Sequence, residues 1–262
     1  MPLAVCATPI GNLDDVTLRV LTELREADVV LCEDTRHTRG LLERRGIAAK
    51  LLSYHEHNEA ARTAELLPRL AAGERIALVS DAGLPGISDP GARIVRAALD
   101  AGVPVTVLPG ASAVETALVA SGLVGERYQF VGFLPRGTKN WAELAGVPWP
   151  TVAFESPQRL PATLRSLAAA DPGRAVAVCR ELTKRFEEVV RGTAAELAAR
   201  FAEPPKGEIV LVLGPGGREP DTDAALAAVY ELVEAGVPRK RAADLVARLT
   251  GVARNRLYRG SL

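Results

Sequence analysis

Ser80-Asp-Ala-Gly-Leu-Pro-Gly-Ile-Ser-Asp-Pro-Gly91 is the stretch whose reading decides the fold. It follows a short apolar run, Ile76-Ala-Leu-Val79, and leads into a helical pattern over 92–101. Open α/β sheets bind ligands at such strand-loop-helix junctions, outside the carboxyl ends of their strands. The glycines let backbone approach a ligand closely, and the prolines stiffen the loop. Asp81 and Asp89 lie within it, so hydroxyls, amines or a positive centre suit it better than a phosphate. The loop lacks both G-x-G-x-x-G and G-x-x-x-x-G-K-[ST], which disfavours a dinucleotide fold and a P-loop NTPase.

The same unit recurs on either side. Leu3–Ala7 reads as a strand followed by the turn Thr8-Pro-Ile-Gly-Asn12, with a helix over 16–26. Val29–Cys32 is a strand ending in Glu33-Asp34-Thr35-Arg36-His37, before a short helix over 39–45. Leu51–Tyr54 is a strand ending in His55-Glu-His-Asn-Glu59, before a helix over 60–72. A strand over 103–108 runs into Pro109-Gly-Ala-Ser-Ala113 and a helix to Ser121. Repeated βα units imply a mainly parallel sheet with helices outside. The polar clusters all follow strands, so they gather on one edge of the sheet. That convergence is the strongest physical argument for a site.

Residues 123–150 break the rhythm: a strand over 128–133, then a loop over 135–150 holding Trp141 and Trp149, as base-stacking groups or as anchors. A second α/β region follows, with strands at 151–154, 175–179 and 208–213 and helices at 160–169 and 193–202, in a pattern suited to hairpins and a mixed sheet. Residues 214–223 are a linker by composition, and helices at 224–235, 241–249 and 252–258 close the chain. Three units are expected: 1–122 and 123–214, both α/β, and a helical basic tail at 224–262.

Charge sharpens the picture. The 262 residues carry no net charge, so bulk electrostatics do not make this a polyanion binder. Residues 238–262 alone carry +6, however, which points to a tail facing nucleic acid. Cys6, Cys32 and Cys179 sit singly in apolar runs without zinc or disulfide spacing, and read as buried reduced thiols of a cytosolic protein. No signal peptide pattern and no apolar run of about 18 residues occurs, so neither secretion nor a membrane span is expected. A Mg²⁺ site built from Glu33, Asp34, Asp81 and Asp89 is disfavoured, and His55 with His57 lacks a third metal ligand.

Seven ordered motifs carry a family resemblance: Ala7–Asn12, Cys32–Thr38, Ser53–Glu59, Ser80–Gly91, Pro109–Ala113, Phe154-Glu-Ser-Pro-Gln158 and Arg180-Glu-Leu-Thr-Lys184. Together they resemble the tetrapyrrole methylase superfamily and, more narrowly, its ribosomal RNA branch, the small-subunit methyltransferase I family. The likeness runs over roughly 3–213 and returns in the tail, where Lys240–Gly251 and Arg254–Arg259 have a helix-turn-helix look. It implies two α/β domains with S-adenosylmethionine (SAM) in the cleft between them. It further implies methyl transfer to the 2′-OH of a cytidine in the decoding region of 16S rRNA, within the small ribosomal subunit, by a cytoplasmic homodimer.

The resemblance carries SAM contacts onto Pro9, Val79, Ser80, Asp81, Leu84, Ser112 and Ala113, and onto Glu155 and Leu182 in the second unit. Chemically, Pro9, Leu84 and Leu182 offer apolar walls, Asp81 an acceptor, and Ser112-Ala113 backbone donors at a helix start. Proton removal from a ribose hydroxyl makes Glu33, Asp34 and His55 the candidate bases. Arg36, Lys184 and Arg185 are candidate RNA contacts, with Lys240, Arg241, Arg254 and Arg256 in the tail. Family members often carry His where Gln158 stands, so no proton transfer is expected there. The 135–150 loop is short and poor in basic residues for the family. Two alternatives stay open: a tetrapyrrole methyltransferase, and an RNA-binding assembly factor without catalysis.

Overall fold

The first sheet has five parallel strands: β1 (Leu3–Cys6), β2 (Val29–Cys32), β3 (Leu51–Ser53), β4 (Ile76–Leu78) and β5 (Val105–Leu108), in the order β3-β2-β4-β1-β5. Strand β1 pairs on both sides with segments far along the chain, Leu3 lying opposite both Ile76 and Val105. All of β1, β2 and β4 is buried, because helices cover both faces. Leu3, Val5, Leu31 and Leu78 face Leu66 and Leu70 of α3 (Glu59–Ala71) and Ile94 of α4 (Ala92–Asp100). Their alternate neighbours Ala4, Cys6, Val30 and Ala77 face Val20 and Leu24 of α1 (Leu18–Glu26) and Leu42 of α2 (Thr35–Arg44). This computed structural model describes residues 2–134, 144, 146–216 and 222–260.

The second sheet is mixed: β6 (Gln129–Phe133), β7 (Thr151–Glu155), β8 (Ala175–Arg180), β9 (Glu188–Thr193) and β10 (Ile209–Leu213), ordered β6-β7-β10-β8-β9. Only β6 and β7 run parallel; β10 is antiparallel to β7 and β8, and β8 to β9. One face packs on α6 (Leu160–Ala170) and α7 (Ala194–Arg200) through Leu160, Leu164 and Leu197. The other face is covered by α5 (Ala113–Ser121), whose Val114, Ala117 and Leu118 meet Val152, Ala177 and Val212. The helix that follows the last strand of the first sheet is thus a layer of the second. Residue 122 divides the sequence but not the packing.

Two expectations need correction. Strand β9 was not foreseen, because Glu188-Val-Val-Arg-Gly-Thr193 is an edge strand with few apolar side chains. Helix α2 starts at Thr35 rather than 39, because the Asp34 side chain accepts a hydrogen bond from the Arg36 N–H and caps it. Thr35, Arg36 and His37 therefore form a first helical turn, not a loop. The three cysteines are buried, and burial pushes the Cys6 and Cys179 thiols up to about 12.

The closing helices α8 (Thr222–Glu234), α9 (Arg239–Thr250) and α10 (Arg254–Gly260) bury Ala225, Val229, Ala242, Val246 and Leu257 against one another. Among the described residues, none of that small core comes from the rest of the chain. Among the described residues no helix is long and apolar enough to cross a membrane. A chain ending at Gly216 should accordingly melt within ~2 °C of the full-length protein, while removal of a shared core shifts a domain by several degrees per kcal/mol. A drop beyond ~5 °C would show the tail to be part of the main core.

Candidate functional site

The carboxyl ends of β3, β2, β4, β1 and β5 lie along one edge of the first sheet, and the glycine loop is tied down there. The Thr8 and Gly83 backbones bond reciprocally at 2.8 and 3.1 Å, and the Thr8 hydroxyl donates to the Ser80 carbonyl at 3.0 Å. Gly83 sits at φ +78°, a conformation that a side chain would strain. The loop so held forms one wall of a cavity of about 730 Å³ between the two sheets. Ile10, Leu84 and Val114 line it from the first half, and Phe130, Phe154 and Leu182 from the second. Phe154 meets Phe130 and Phe133 edge-on, with centroids 4.9 and 5.5 Å apart, which sets an aromatic cluster on one side.

The start of α5 opens onto this cavity. Ser112 occupies the cap position without a side-chain capping bond, so its hydroxyl does not consume the first backbone N–H groups of the helix, of which that of Glu115 is met by its own carboxylate. The Ser112 hydroxyl donates to Glu115 instead, and Tyr128 donates to the same carboxylate at 2.7 Å. Burial raises the Glu115 pKa, but those two donors outweigh it and hold the carboxyl below its usual range. Four carboxylates line the cavity: Asp89, Glu115, Glu155 and Glu208. Glu155 is spoken for, accepting from the Ser156 N–H at 2.7 Å and Thr163 at 2.5 Å and pairing with Arg159 at 3.1 Å. Glu208 pairs with Lys184 at 2.9 Å.

Asp89 is different. Burial pushes its pKa up to about 6, and the nearby charges of Glu33 and Asp81 add to that, with a hydrogen bond from Ser80 pulling the other way. Glu33 is raised as well, by burial and by Asp81 and Asp34, while His55 opposes. The Asp81 carboxylate accepts from the Asp34 N–H at 3.3 Å. Asp34 itself caps α2 and grips Arg36 at 2.7 and 3.1 Å, and these bonds hold its carboxyl far below the usual carboxylate range. Such a group does not accept a proton near neutral pH. His55 Nε2 lies 3.1 Å from Asn58, and its other ring nitrogen is buried without a partner.

The expected residues therefore divide. Leu84, Ser112, Ala113, Glu155 and Leu182 line the cavity; Pro9, Val79, Ser80 and Asp81 do not. Asp81 turns toward the strand ends that carry Glu33 and Asp34. Arg36 is exposed but committed to Asp34, and Lys184 to Glu181 and Glu208. Arg185 stacks over Phe186 at 5.6 Å. In the tail Lys240, Arg241 and Arg256 are exposed, while Arg254 pairs with Asp244. Gln158 is exposed and outside the cavity, Trp149 is half-buried, and Trp141 lies outside the described residues. Asp89 was missed as a site residue. It stands in the opening glycine loop, and only the folded arrangement shows that Asp81 of the same loop and Glu33 from the end of another strand crowd it. Among the described residues no group of His, Cys, Asp or Glu could hold a metal ion.

Sequence and fold comparisons agree with this architecture. The description "Tetrapyrrole (Corrin/Porphyrin) Methylases" matches residues 2–198, and the chain belongs to that methyltransferase family. Residues 219–260 match a second description, the RsmI C-terminal HTH domain. Two similar relatives are both named ribosomal RNA small subunit methyltransferase I. The one from Mesorhizobium japonicum is 44% identical, over 98% of this chain and 90% of its own length. The one from Halalkalibacterium halodurans is 42% identical, over 98% and 93%. In fold the chain is similar to the uroporphyrin-III C-methyltransferase of Thermus thermophilus, solved with S-adenosyl homocysteine: TM-score 0.58, 22% identity, covering 81% of this chain and 96% of that one.

The raised pKa of Asp89 has a measurable consequence. An acid whose pKa rises on folding from 3.8 to about 6 binds its proton more tightly in the native state. Its contribution is full below the unfolded value and is lost as pH climbs to the folded one. Asp89→Asn should therefore gain stability relative to wild type between pH 4 and pH 7. The full conversion is about 3 kcal/mol, and solvent screening reduces it to about 1 kcal/mol. Urea unfolding at the two pH values measures it; a difference that does not change with pH rules the coupling out.

Proposed function

We propose that the chain transfers a methyl group from SAM to the ribose 2′-OH of a cytidine in the decoding region of 16S rRNA, acting on the small ribosomal subunit in the cytoplasm as a homodimer. The observation that carries this reading is the inter-sheet cavity, taken with relatives above 40% identity that are named for ribosomal RNA methylation. The cavity's size suits a nucleoside-sized ligand. Its aromatic and aliphatic walls suit an adenine, its carboxylates suit an ammonium and a sulfonium, and the uncapped start of α5 suits polar acceptors. The three units at 1–122, 123–214 and 224–262 then divide the work between cofactor, cleft and RNA. Exposed Val107 on the edge strand β5 and exposed Val119 on α5 are apolar surface consistent with self-association.

SAM, when bound, supplies an already activated methyl group. The chain's own task is to hold the ribose hydroxyl in line and to take its proton. In-line positioning by the cavity walls provides most of the acceleration. Asp89 is the proton acceptor in this reading: it lines the cavity, and its pKa near 6 leaves it ionised yet basic at neutral pH. Glu33 and Asp81 stand behind it and strengthen its hold on the proton. His55 steadies Glu33 from the neighbouring strand end.

Small subunits lacking the modification, incubated with labelled SAM, should take up one methyl group on a cytidine ribose; label on a base, or none, defeats the assignment. Absence of SAM binding in calorimetry would favour a non-catalytic assembly factor. Asp89→Asn should lower single-turnover rate by about 10²–10⁴-fold with little change in SAM affinity. In the wild type, activity should rise with pH through about 6, as the base ionises. Asp81→Ala should leave SAM affinity within about threefold, since a retained affinity is what a group outside the cavity wall predicts. A loss of tenfold or more would return Asp81 to the cofactor.

A further inference from the structure

A second depression, of about 680 Å³, lies between the two halves of the body. Its walls are the loop after β1 (Gly11, Asn12, Asp14), the end of α2 (Arg44, Arg45) and the segment after β8 (Thr183–Arg185). Ile10 and Leu182 line the main cavity, while their chain neighbours Gly11 and Thr183 line this groove. The two spaces are thus separated by a wall one residue thick on each side.

That wall is tightly built. A Cβ on Gly11 would lie 2.5 Å from Lys184 Cγ and 2.9 Å from the Leu182 carbonyl, so only glycine admits the approach. The Asn12 N–H donates to the Thr183 hydroxyl at 2.9 Å. Thr183, a β-branched residue, is held at φ +66°, and Glu181 at φ +52°. Such backbone persists only where the surroundings over-determine it, and it clusters at ligand sites.

The cations of the groove are not equal. Arg45 is a strut, donating to the Leu13 carbonyl at 2.5 Å and to Asp14 at 2.6 Å. Lys184 is neutralised by Glu181 and Glu208. Arg44 is exposed and has no carboxylate partner among the described residues. The Arg185 guanidinium lies over Phe186 and likewise has no acid beside it among the described residues. Two uncommitted guanidiniums from different halves of the body, flanking a polar groove, form an anion site.

We propose that this groove holds a backbone phosphate of the RNA strand, gripped by Arg44 and Arg185, and so sets the register of the nucleotide entering the neighbouring cavity. This deepens the RNA methyltransferase reading and rests on it. Phosphate contacts fix position and carry no sequence information. The groove would act on placement rather than on choice of base.

The test uses the full-length protein with SAM and unmodified small ribosomal subunits, with affinity measured at several potassium chloride concentrations. Arg44→Gln/Arg185→Gln should bind the subunit about tenfold more weakly at low salt, with the slope of log affinity against log salt reduced by about 0.7, the value for one phosphate no longer neutralised. SAM affinity should be unchanged. Arg44→Gln alone should give half the slope change, which keeps the test open if the double variant does not fold. An unchanged slope in folded variants overturns the proposal, as does a loss of SAM affinity in parallel. If inorganic phosphate raises the wild-type melting temperature but not the variant's, while the RNA slopes agree, the groove belongs to a free anion and the proposal fails. Failure of the wild type itself to bind the subunit would instead reject the RNA reading on which this one rests.

Discussion

The packing of α5 against the second sheet is the contact on which the rest depends. Val114, Ala117 and Leu118 bury themselves on Val152, Ala177 and Val212, although the helix is reached directly from a strand of the first sheet. Each valine or leucine among them contributes about 1.5–3 kcal/mol when taken out of water. The helix therefore fixes the two halves in one arrangement, and the cavity between them inherits its shape. Its first turn faces that cavity, so the same helix that joins the halves also presents its N-terminal end to a ligand. A polar residue at position 114, 117 or 118 would loosen the cleft before it touched any ligand.

A second constraint is electrostatic. Parallel strands end on the same side, and here they end in acids: Glu33 and Asp34 after β2, and Asp81 and Asp89 in the loop after β4. Crowded carboxylates cannot all ionise freely, so the fold separates their roles. Asp34 is given a cation and a helix start and stays charged. Asp89 is given neighbours of its own sign and partial burial, and holds its proton to about pH 6. The difference follows from environment alone, as expected when titratable groups share a site.

The alternation of apolar runs and glycine-ended helices made the first sheet legible, because strands buried on both faces have little freedom in composition. The mixed second sheet was legible at its three apolar strands and not at Glu188–Thr193, where an edge strand needs few apolar residues. Motif positions were legible, but side-chain commitments were not. Arg36 looked available for RNA and is held by Asp34, two residues earlier. Glu155 looked available for a ligand and is consumed by Arg159 and Thr163. Asp81 and Asp89 share one loop, yet only Asp89 reaches the cavity. Pairings of this kind depend on rotamers and on elements distant in sequence, which no local pattern encodes.

The place of β1 between β4 and β5 has a consequence for biosynthesis. Leu3 through Cys6 are made well before their neighbours in the sheet, Ile76–Leu78 on one side and Val105–Leu108 on the other. At about 5–20 residues per second, the strand waits roughly 5–20 s before its second partner has even been made. Throughout that interval a fully apolar segment has at least one hydrogen-bonding edge open. Vectorial synthesis thus leaves a fully buried strand of the finished protein waiting longer than any other of its sheet, and makes the nascent chain's early handling a condition of its yield.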